Sequence, residues 1–336
     1  MEERTFEKPI GAATENQRLK VLYVAGSGRS GSTVLGQILD QLDGFFLVGE
    51  LRYIWDRGLI ENRLCSCGVT FKECPVWGRI LSHAFGGSGG IDAQEMLGLR
   101  ERGPRFRHMV LAPTRKSVRA RVAQMGEYGQ ALEKIYRAAQ SVGQSRVIVD
   151  TSKSPTHAQV LQSVPSIDLY VLHLVRDPRA VAYSWAFRSK PKMAGWDLND
   201  LMISHGTVES SLIWLGGNFT IERFWGGNPE RYMLLRYEDF VQDPLGSVNN
   251  ILRFMGEEAE LPFVNEREVS LAVSHTFSGN PDRFHSGTVS IEPDEGWKRE
   301  MGGGRQASVT AITWPGSLRY GYPLRAQRNG PRTEGW

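Results

Sequence analysis

The sequence predicts a three-layer α/β fold, in which helices cover both faces of a central, mostly parallel sheet. Short apolar runs of strand length alternate with longer helical patterns, which is the order expected of β-α-β units. Each run is apolar on successive residues, as is typical of strands that are buried on both faces. The predicted strands are 21–25, 45–48, 147–149, 169–175 and 232–235.

Helices are predicted at 32–42, 178–188 and 244–255, each soon after a strand. We expect residues 1–19 to form a polar lead-in, residues 20–322 a single domain and residues 323–336 a polar tail. Between the second and third strands, the Cys-, Gly- and Arg-rich residues of about 56–116 are expected to form an insertion.

The charge balance excludes some partners. Forty Lys and Arg against 37 Asp and Glu leave a net charge of +3, which is too weak to indicate nucleic acid or an anionic membrane as the main partner. No stretch approaches the ~20 apolar residues of a membrane-spanning helix, and the polar N-terminal segment lacks the apolar core of an export signal. We therefore expect a cytoplasmic protein, and a homodimer stays open.

A glycine-rich turn follows the first strand. Residues 26–33 read Gly-Ser-Gly-Arg-Ser-Gly-Ser-Thr, and a helical pattern begins at once. Glycines let the backbone turn tightly, and unpaired N–H groups at a helix start attract an anion. Ser32 stands where a nucleoside-triphosphate loop has lysine, which argues against ATP or GTP hydrolysis. Arg29 can instead fork onto two oxygens of one tetrahedral group. An ordinary glycine-rich turn is the alternative.

The fourth strand ends at a second turn that suits an anion. Arg176 follows the strand, and Asp177 with Pro178 makes a helix cap followed by a first-turn proline. Ser184 lies two turns along on the same stripe, at a rise of ~1.5 Å per residue. Its hydroxyl and Arg176 can therefore bind one phosphate, although an Arg176 paired with a surface carboxylate fits this pattern equally well.

Together, the two turns resemble the sulfotransferase superfamily, and in particular its bacterial-type small-molecule members, which use 3′-phosphoadenosine 5′-phosphosulfate (PAPS) as donor. Residues 28–33 resemble the 5′-phosphosulfate loop and residues 176–184 the 3′-phosphate motif, in the same order and spacing. Residues 236–239 (Arg-Tyr-Glu-Asp) and 279–298 resemble two later motifs. The resemblance implies a nucleotide-kinase-like P-loop topology, a small-molecule acceptor with a hydroxyl or amine, and no metal.

The resemblance also implies roles for single residues. The 5′-phosphosulfate would be held by Gly28, Arg29, Ser30, Gly31, Ser32 and Thr33, and the 3′-phosphate by Arg176 and Ser184. Tyr237 matches a residue near adenine in the family. Arg283 and Gly287 match an Arg and a Gly of the C-terminal loop, although the spacing to Trp297 and Lys298 is longer here than in the cytosolic aryl sulfotransferases.

Glu50 is the expected catalytic base. Sulfuryl transfer requires a group that removes the acceptor proton and positive groups around the sulfonate and the departing phosphate. Glu50 ends the second strand, at the same sheet edge as the phosphate loop. The segment Gly49-Glu50 resembles the Gly-Glu segment of the tyrosylprotein and related sulfotransferases, where the carboxylate takes the proton. A surface salt bridge to Arg52 is the alternative.

Lys153 and Arg29 are expected to stabilise negative charge during transfer. Lys153 follows the third strand, where the cytosolic aryl sulfotransferases carry their base histidine, and this departure strengthens the case for Glu50. His157 is the rival base, and we interpret it as a histidine on a solvated helix face. Asp150 is expected to be structural or to orient Lys153.

Cys65, Cys67 and Cys74 fall close together, and His83 follows. This spacing differs from the usual C-x2-C pairs of zinc sites, so we interpret the cysteines as reduced thiols or one short disulfide, with a zinc site as the alternative.

Two other function classes stay open. One is a kinase or other nucleoside-triphosphate enzyme on the same sheet, and the other is a catalytically silent nucleotide-binding protein.

Overall fold

A computed structural model describes residues 18–110, 115–187 and 205–325 of the chain. Within these residues, one parallel sheet contains β1 (Leu19–Gly26), β2 (Phe45–Gly49), β3 (Val147–Lys153), β4 (Ile167–Val175) and β5 (Tyr232–Arg236). The strands lie in the order β2-β3-β1-β4-β5, and every neighbouring pair is parallel. The five predicted strands and the nucleotide-kinase-like topology are confirmed.

Helices connect the strands and cover both faces of the sheet. The described helices are α1 (Ser32–Asp40), α2 (Pro75–Phe85), α3 (Ala93–Arg102), α4 (Phe106–Val110), α5 (Arg115–Val122), α6 (Gly126–Gly143), α7 (Pro155–Ser163), α8 (Pro178–Phe187), α9 (Thr207–Trp225), α10 (Tyr237–Gln242), α11 (Pro244–Met255), α12 (Gly296–Glu300) and α13 (Gly303–Arg319). The predicted helices correspond to α1, α8 and α11; residue 188 of the second prediction lies outside the described residues. No described helix combines the length and the apolar composition that a membrane crossing requires.

Shorter elements complete the described chain. Leu51–Tyr53, Ala123–Met125 and Pro281–Phe284 form 3-10 turns, and Ile54–Ile60 forms a π-helix. Strands β6 (Glu268–Leu271) and β7 (Gly287–Ser290) pair in antiparallel fashion as a separate two-stranded sheet.

The alternation of side chains along β1 explains why the sheet has helices on both faces. Val21 and Tyr23 belong to one buried cluster, which also contains Leu132 of α6 and Leu161 of α7. Leu22 and Val24 point to the opposite face and join a second cluster with residues of α1 and α11. Successive residues of a strand point to opposite faces, so a continuous apolar run gives two cores and three layers.

Gly26, the last residue of β1, is a backbone position where only glycine fits. Its φ is +143°, and a Cβ at this residue would lie 2.2 Å from the carbonyl oxygen of Leu174 in β4. Because a carbonyl of a paired strand cannot move aside, the turn that follows β1 depends on this glycine.

We predict that Gly26→Ala lowers the free energy of unfolding by about 2–4 kcal/mol, because it adds backbone strain and a clash with a central strand. Gly98→Ala is the matched control, since Gly98 lies inside α3 and a Cβ there meets no described atom within 4 Å. The control should gain about 0.5–1 kcal/mol from the better helix former. Urea unfolding of both variants measures the difference, and equal stabilities would contradict the assignment of Gly26.

Candidate active site

A cleft of about 1380 Å³ opens at the carboxyl ends of the parallel strands. The loop after β1, the end of β3 and the residue after β4 all contribute to its wall, as expected for an α/β sheet of this kind. The predicted site residues that line the cleft are Gly28, Arg29, Gly31, Ser32, Thr33, Glu50, Lys153, Arg176, Ser184, Tyr237 and Arg283. Ser30 and Gly287 are not among the residues that line it.

In the loop after β1, the backbone lies close to the N-terminus of α1, and no side chain of the loop caps the helix. Arg29 has a φ of +67° and Gly31 a φ of +91°. A Cβ on Gly31 would lie 2.6 Å from the Tyr237 ring. Among the described residues, no side chain caps the N-terminus of α1. The N–H groups of the first helical turn, with the helix dipole behind them, therefore suit an anion.

Arg29 places a positive charge beside this helix N-terminus. Its guanidinium lies 4.8 Å from the centre of the Trp185 ring. Its Nε atom is buried and has no hydrogen-bond partner within the described part of the chain. Burial lowers the pKa of Arg29 from its ordinary value, and the carboxylates of Asp282 and Glu50 partly offset this effect. An arginine keeps its charge under such conditions, so the site holds a partly desolvated cation.

Arg176 directly contacts the loop that carries Arg29. Its Nη1 donates a hydrogen bond of 3.1 Å to the Arg29 carbonyl. Its Nη2 donates to the Asp294 carbonyl at 3.0 Å and lies 3.0 Å from the Asp294 carboxylate. The guanidinium also lies 4.3 Å from the centre of the Tyr237 ring. The two predicted anion sites thus share one wall of one cleft. Asp294 contacts one side of the Arg176 guanidinium.

Helix α8 holds Ser184 on the same side as Arg176. The Oδ1 atom of Asp177 accepts a hydrogen bond of 2.9 Å from the Arg179 N–H, so the predicted helix cap is present. Ser184 is buried and lines the cleft. The predicted two-turn spacing therefore brings its hydroxyl to the pocket that Arg176 enters.

Of the remaining predicted nucleotide-binding residues, Arg283 lines the cleft, whereas Ser30 and Gly287 do not. Ser30 is buried, and its hydroxyl donates a 2.9 Å hydrogen bond to the Ser27 carbonyl, so its side chain closes the loop. Gly287 is exposed in β7. Arg283 is buried beside the cleft, where its guanidinium donates to the carbonyl oxygens of Gly279 at 3.1 Å and Leu64 at 3.3 Å. Of the C-terminal pair, only Arg283 therefore reaches the cleft.

Glu50 and Lys153 form an ion pair at the floor of the cleft. The Lys153 Nζ lies 2.5 Å from the Glu50 Oε1, and it also donates to the Thr151 carbonyl at 2.8 Å. Lys153 has a φ of +63°, a strained conformation for a residue with a side chain. The ion pair turns the lysine from the end of β3 toward the end of β2.

Two further groups hold the other carboxylate oxygen of Glu50. The Ser278 hydroxyl donates to Oε2 at 3.0 Å, and the Arg57 Nη1 lies 3.8 Å from the same atom. The ion pairs of Glu50 within the described residues are thus with Lys153 and Arg57, and the alternative salt bridge to Arg52 is wrong.

The pKa of Glu50 reflects this surrounding charge. Burial raises it, because the side chain is only 12% exposed, whereas Lys153, Arg57 and the Ser278 hydrogen bond lower it. The net result is a pKa below the ordinary glutamate value. Glu50 is therefore an ionised carboxylate at neutral pH.

The expectation of a solvated His157 is wrong. His157 is 4% exposed, and its Nε2 lies 3.6 Å from the Asp150 Oδ2 and 3.5 Å from the Tyr136 hydroxyl. Asp150 also accepts hydrogen bonds from the Tyr136 hydroxyl and, at 2.6 Å, from the Ser152 N–H. Asp150 thus organises a buried polar group around His157, whereas Lys153 is oriented by Glu50 and the Thr151 carbonyl.

Several residues of the site escaped the sequence analysis. Ser278 and Asp294 contact the predicted residues from loops, and Arg57 does so from the π-helix Ile54–Ile60; none of these segments has a recognisable motif. Trp185 had no signal beyond its aromatic character. The only usable hint was the position of Ser278 and Asp294 within the segment 279–298 or next to it, which resembles the family's C-terminal loop.

Comparison with known proteins identifies related sequences. Residues 22–260 match the model of the Sulfotransferase family. Over 178 residues the chain is 30% identical to human carbohydrate sulfotransferase 3; the match covers 49% of this chain and 36% of that protein, so the chain spans about a third of that relative's length.

Two of the solved structures that match this chain are sulfotransferases. The sulfotransferase domain of the Synechococcus PCC 7002 olefin synthase is 19% identical, with a TM-score of 0.49, and the match covers 95% of this chain and 100% of that chain. A sulfotransferase from Alicyclobacillus acidocaldarius is 14% identical, with a TM-score of 0.42, and the match covers 89% and 93% of the two chains. The family match, which spans more than half of the sequence and includes Arg29 and Arg176, shows that this chain belongs to the sulfotransferase family.

Proposed function

We propose that the protein transfers the sulfuryl group of PAPS to a hydroxyl or amine of a small-molecule acceptor. The observation that supports this proposal is the contact between Arg176 and the Arg29 loop, because both predicted anion-binding residues line one cleft. A donor with a phosphate on its 3′ side and a phosphosulfate on its 5′ side matches this pair. Ser32, in place of a lysine, disfavours the alternative of a triphosphate enzyme.

The residues of the two sites fit such a donor. The Nε atoms of Arg29 and Arg176 are both buried without a hydrogen-bond partner among the described residues, and buried donors of this kind are costly unless a ligand satisfies them. A 3′-phosphate beside Arg176 would take the place of the Asp294 carboxylate. The 5′ group would accept hydrogen bonds from the N-terminus of α1 and the guanidinium of Arg29.

The transfer step uses three side chains of this chain. As the acceptor oxygen or nitrogen bonds to sulfur, Glu50 takes the acceptor proton, and the bond between sulfur and the bridging phosphate oxygen breaks. Lys153 and Arg29 stabilise the charge that moves onto the sulfonate and phosphate oxygens. The products are the sulfated acceptor and adenosine 3′,5′-bisphosphate. Cationic side chains neutralise this charge, so the proposed step needs no metal.

Glu50 becomes a stronger base when the donor binds. Lys153 is the strongest of the groups that lower the pKa of Glu50, whereas burial raises it. A lysine that turns toward the phosphosulfate weakens its hold on Glu50, so the pKa of Glu50 rises. Proton removal from the acceptor is thereby favoured only after the donor is in place.

The proposed hydroxyl acceptor is supported by the name of one relative. A relative named for carbohydrate matches this chain over part of its length, which agrees with a hydroxyl acceptor. Cytoplasmic location and a homodimer stay predictions.

The donor assignment predicts selective binding of adenosine 3′,5′-bisphosphate over ATP with magnesium, and sulfate transfer from PAPS to an acceptor mixture. Arg176→Ala should weaken bisphosphate binding by about 10–150-fold, the cost of losing a charged hydrogen bond of about 1.5–3 kcal/mol. Arg231→Ala is the matched control, because Arg231 pairs with Asp168 away from the cleft. Calorimetry measures the affinity for each nucleotide.

Tighter binding of magnesium ATP than of the bisphosphate would favour the kinase alternative. Absence of turnover with every acceptor would favour a catalytically silent binding protein.

The assignment of the base predicts that Glu50→Gln lowers kcat by about 10²–10⁴-fold, the usual contribution of a general base. The affinity for the bisphosphate should change by no more than about threefold, since the amide still accepts hydrogen bonds in the same place. Steady-state kinetics and calorimetry on one preparation separate the two effects. Near-normal turnover would transfer the role of base to His157 or another group.

The ionisation of Glu50 also predicts two different acidic limbs. The active carboxylate is lost as pH falls through its pKa, so kcat/KM, which reports the free enzyme, should fall only below pH 4.5, the ordinary value that the ion pair lowers. The acidic limb of kcat should lie at higher pH, because Lys153 has turned to the donor. Arg57→Gln should move the kcat/KM limb upward. Coinciding limbs in both profiles would show that Lys153 does not switch partners.

A further inference from the structure

A cluster of three cysteines and one histidine lies outside the proposed transfer chemistry. The sulfur atoms of Cys65, Cys67 and Cys74 and a ring nitrogen of His275 all lie within 4.8 Å of one another. Cys65 and Cys74 are buried, whereas Cys67 and His275 are half-buried. His83, which the sequence suggested as a fourth ligand, is exposed on α2 and is not a member of this cluster.

The distances in this cluster suit a tetrahedral metal ion. The Cys74 Sγ lies 3.7 Å from the Cys65 Sγ, 3.7 Å from the Cys67 Sγ and 3.3 Å from the His275 Nδ1. Sulfur ligands about 2.3 Å from a tetrahedral zinc ion are about 3.8 Å apart, and a sulfur and a nitrogen ligand are about 3.5 Å apart. A disulfide requires sulfur atoms about 2.05 Å apart, and all three cysteines are free.

The local backbone holds the three sulfur atoms in place. The Cys65 N–H donates to the Val69 carbonyl at 2.8 Å, and the Gly68 N–H donates to the Cys65 carbonyl at 2.9 Å, so residues 65–69 form a tight turn. Gly68 has a φ of +92°, which favours glycine. Cys74 directly precedes α2, and its side chain does not cap that helix. The turn and the helix start thus aim their sulfur atoms at one point.

His275 joins the cluster from a distant part of the chain, 201 residues after Cys74. Its carbonyl accepts a 2.7 Å hydrogen bond from the Trp77 Nε1. The next residue, Thr276, accepts a 2.8 Å hydrogen bond from the Ser66 N–H through its carbonyl. The cluster therefore lies where the turn of residues 65–69 meets the loop that leads from β6 to the cleft.

We propose that Cys65, Cys67, Cys74 and His275 bind one structural zinc ion. Three cysteines and one histidine form a common structural zinc set, and four protein ligands leave no open position for a substrate. On binding, the thiols release their protons, and the thiolates and the neutral imidazole donate electron pairs to the metal. This site replaces the interpretation of the cysteines as thiols or a disulfide.

The zinc ion would fix the loop that supports the catalytic carboxylate. Ser278 lies on the same loop as His275 and donates to the Glu50 carboxylate at 3.0 Å. Arg283, farther along, donates to the Leu64 carbonyl next to Cys65. A metal that ties His275 to the cysteines therefore holds both residues against the cleft. The zinc site itself does not depend on the proposed function.

Zinc content provides the test. Elemental analysis of protein purified without chelators should give about one zinc ion per chain. Cys67→Ser and His275→Ala should each weaken zinc binding at least as much as the loss of an outer-shell partner does, which is about 10–100-fold. His83→Ala is the matched control and should retain the metal. Cobalt exchanged into the unmutated protein should show the intense visible bands of a tetrahedral thiolate site, a readout that needs no variant to fold.

Hydrogen exchange tests the structural role without reference to activity. Removal of zinc by a chelator should accelerate amide exchange in residues 65–74 and 275–283 together, while α11 stays protected. Protein without metal, His275→Ala with full metal content, or a cobalt spectrum without thiolate bands would each overturn the proposal. Retained zinc with unchanged exchange in residues 275–283 would overturn its role in holding the loop.

Discussion

The two predicted anion-binding turns come together because β1 and β4 are parallel neighbours in the sheet. The two strands stay paired as far as Gly26 and Leu174, so the turns that follow them leave the sheet side by side. The absence of a side chain at Gly26 permits this close approach. The contact between Arg176 and the Arg29 carbonyl follows from it, and a strand placed between β1 and β4 would separate the two cations.

The charges in the cleft serve two purposes that compete. Arg29, Arg176 and Lys153 suit an anionic donor, but positive charge near Glu50 also weakens that carboxylate as a base. The proposed mechanism resolves this competition through Lys153, which pairs with Glu50 at the end of β2 and would exchange that partner for the donor. Ser278 and Arg57 would keep Glu50 in position during such an exchange.

Much of the fold and part of the site could be predicted from the sequence, because local patterns carry them. Apolar runs gave the five strands, and the turns at Arg29 and Arg176 are short segments whose chemistry is legible residue by residue. Contacts between residues that are far apart in the chain leave no local sequence pattern, so they could not be predicted. Ser278 lies 228 residues from Glu50, and His275 lies 201 residues from Cys74. The burial of His157 also escaped prediction, since it depends on how α6 packs against α7.

We propose that one nucleotide bridges the cations after β1 and β4. A crystal structure of the complex with adenosine 3′,5′-bisphosphate would show whether it does. We expect the 5′-phosphate at the N-terminus of α1 beside Arg29, and the 3′-phosphate within hydrogen-bond distance of Arg176 and Ser184, with Asp294 displaced. A nucleotide whose two phosphates both lie away from Arg176, or which binds outside the cleft, would contradict the claim.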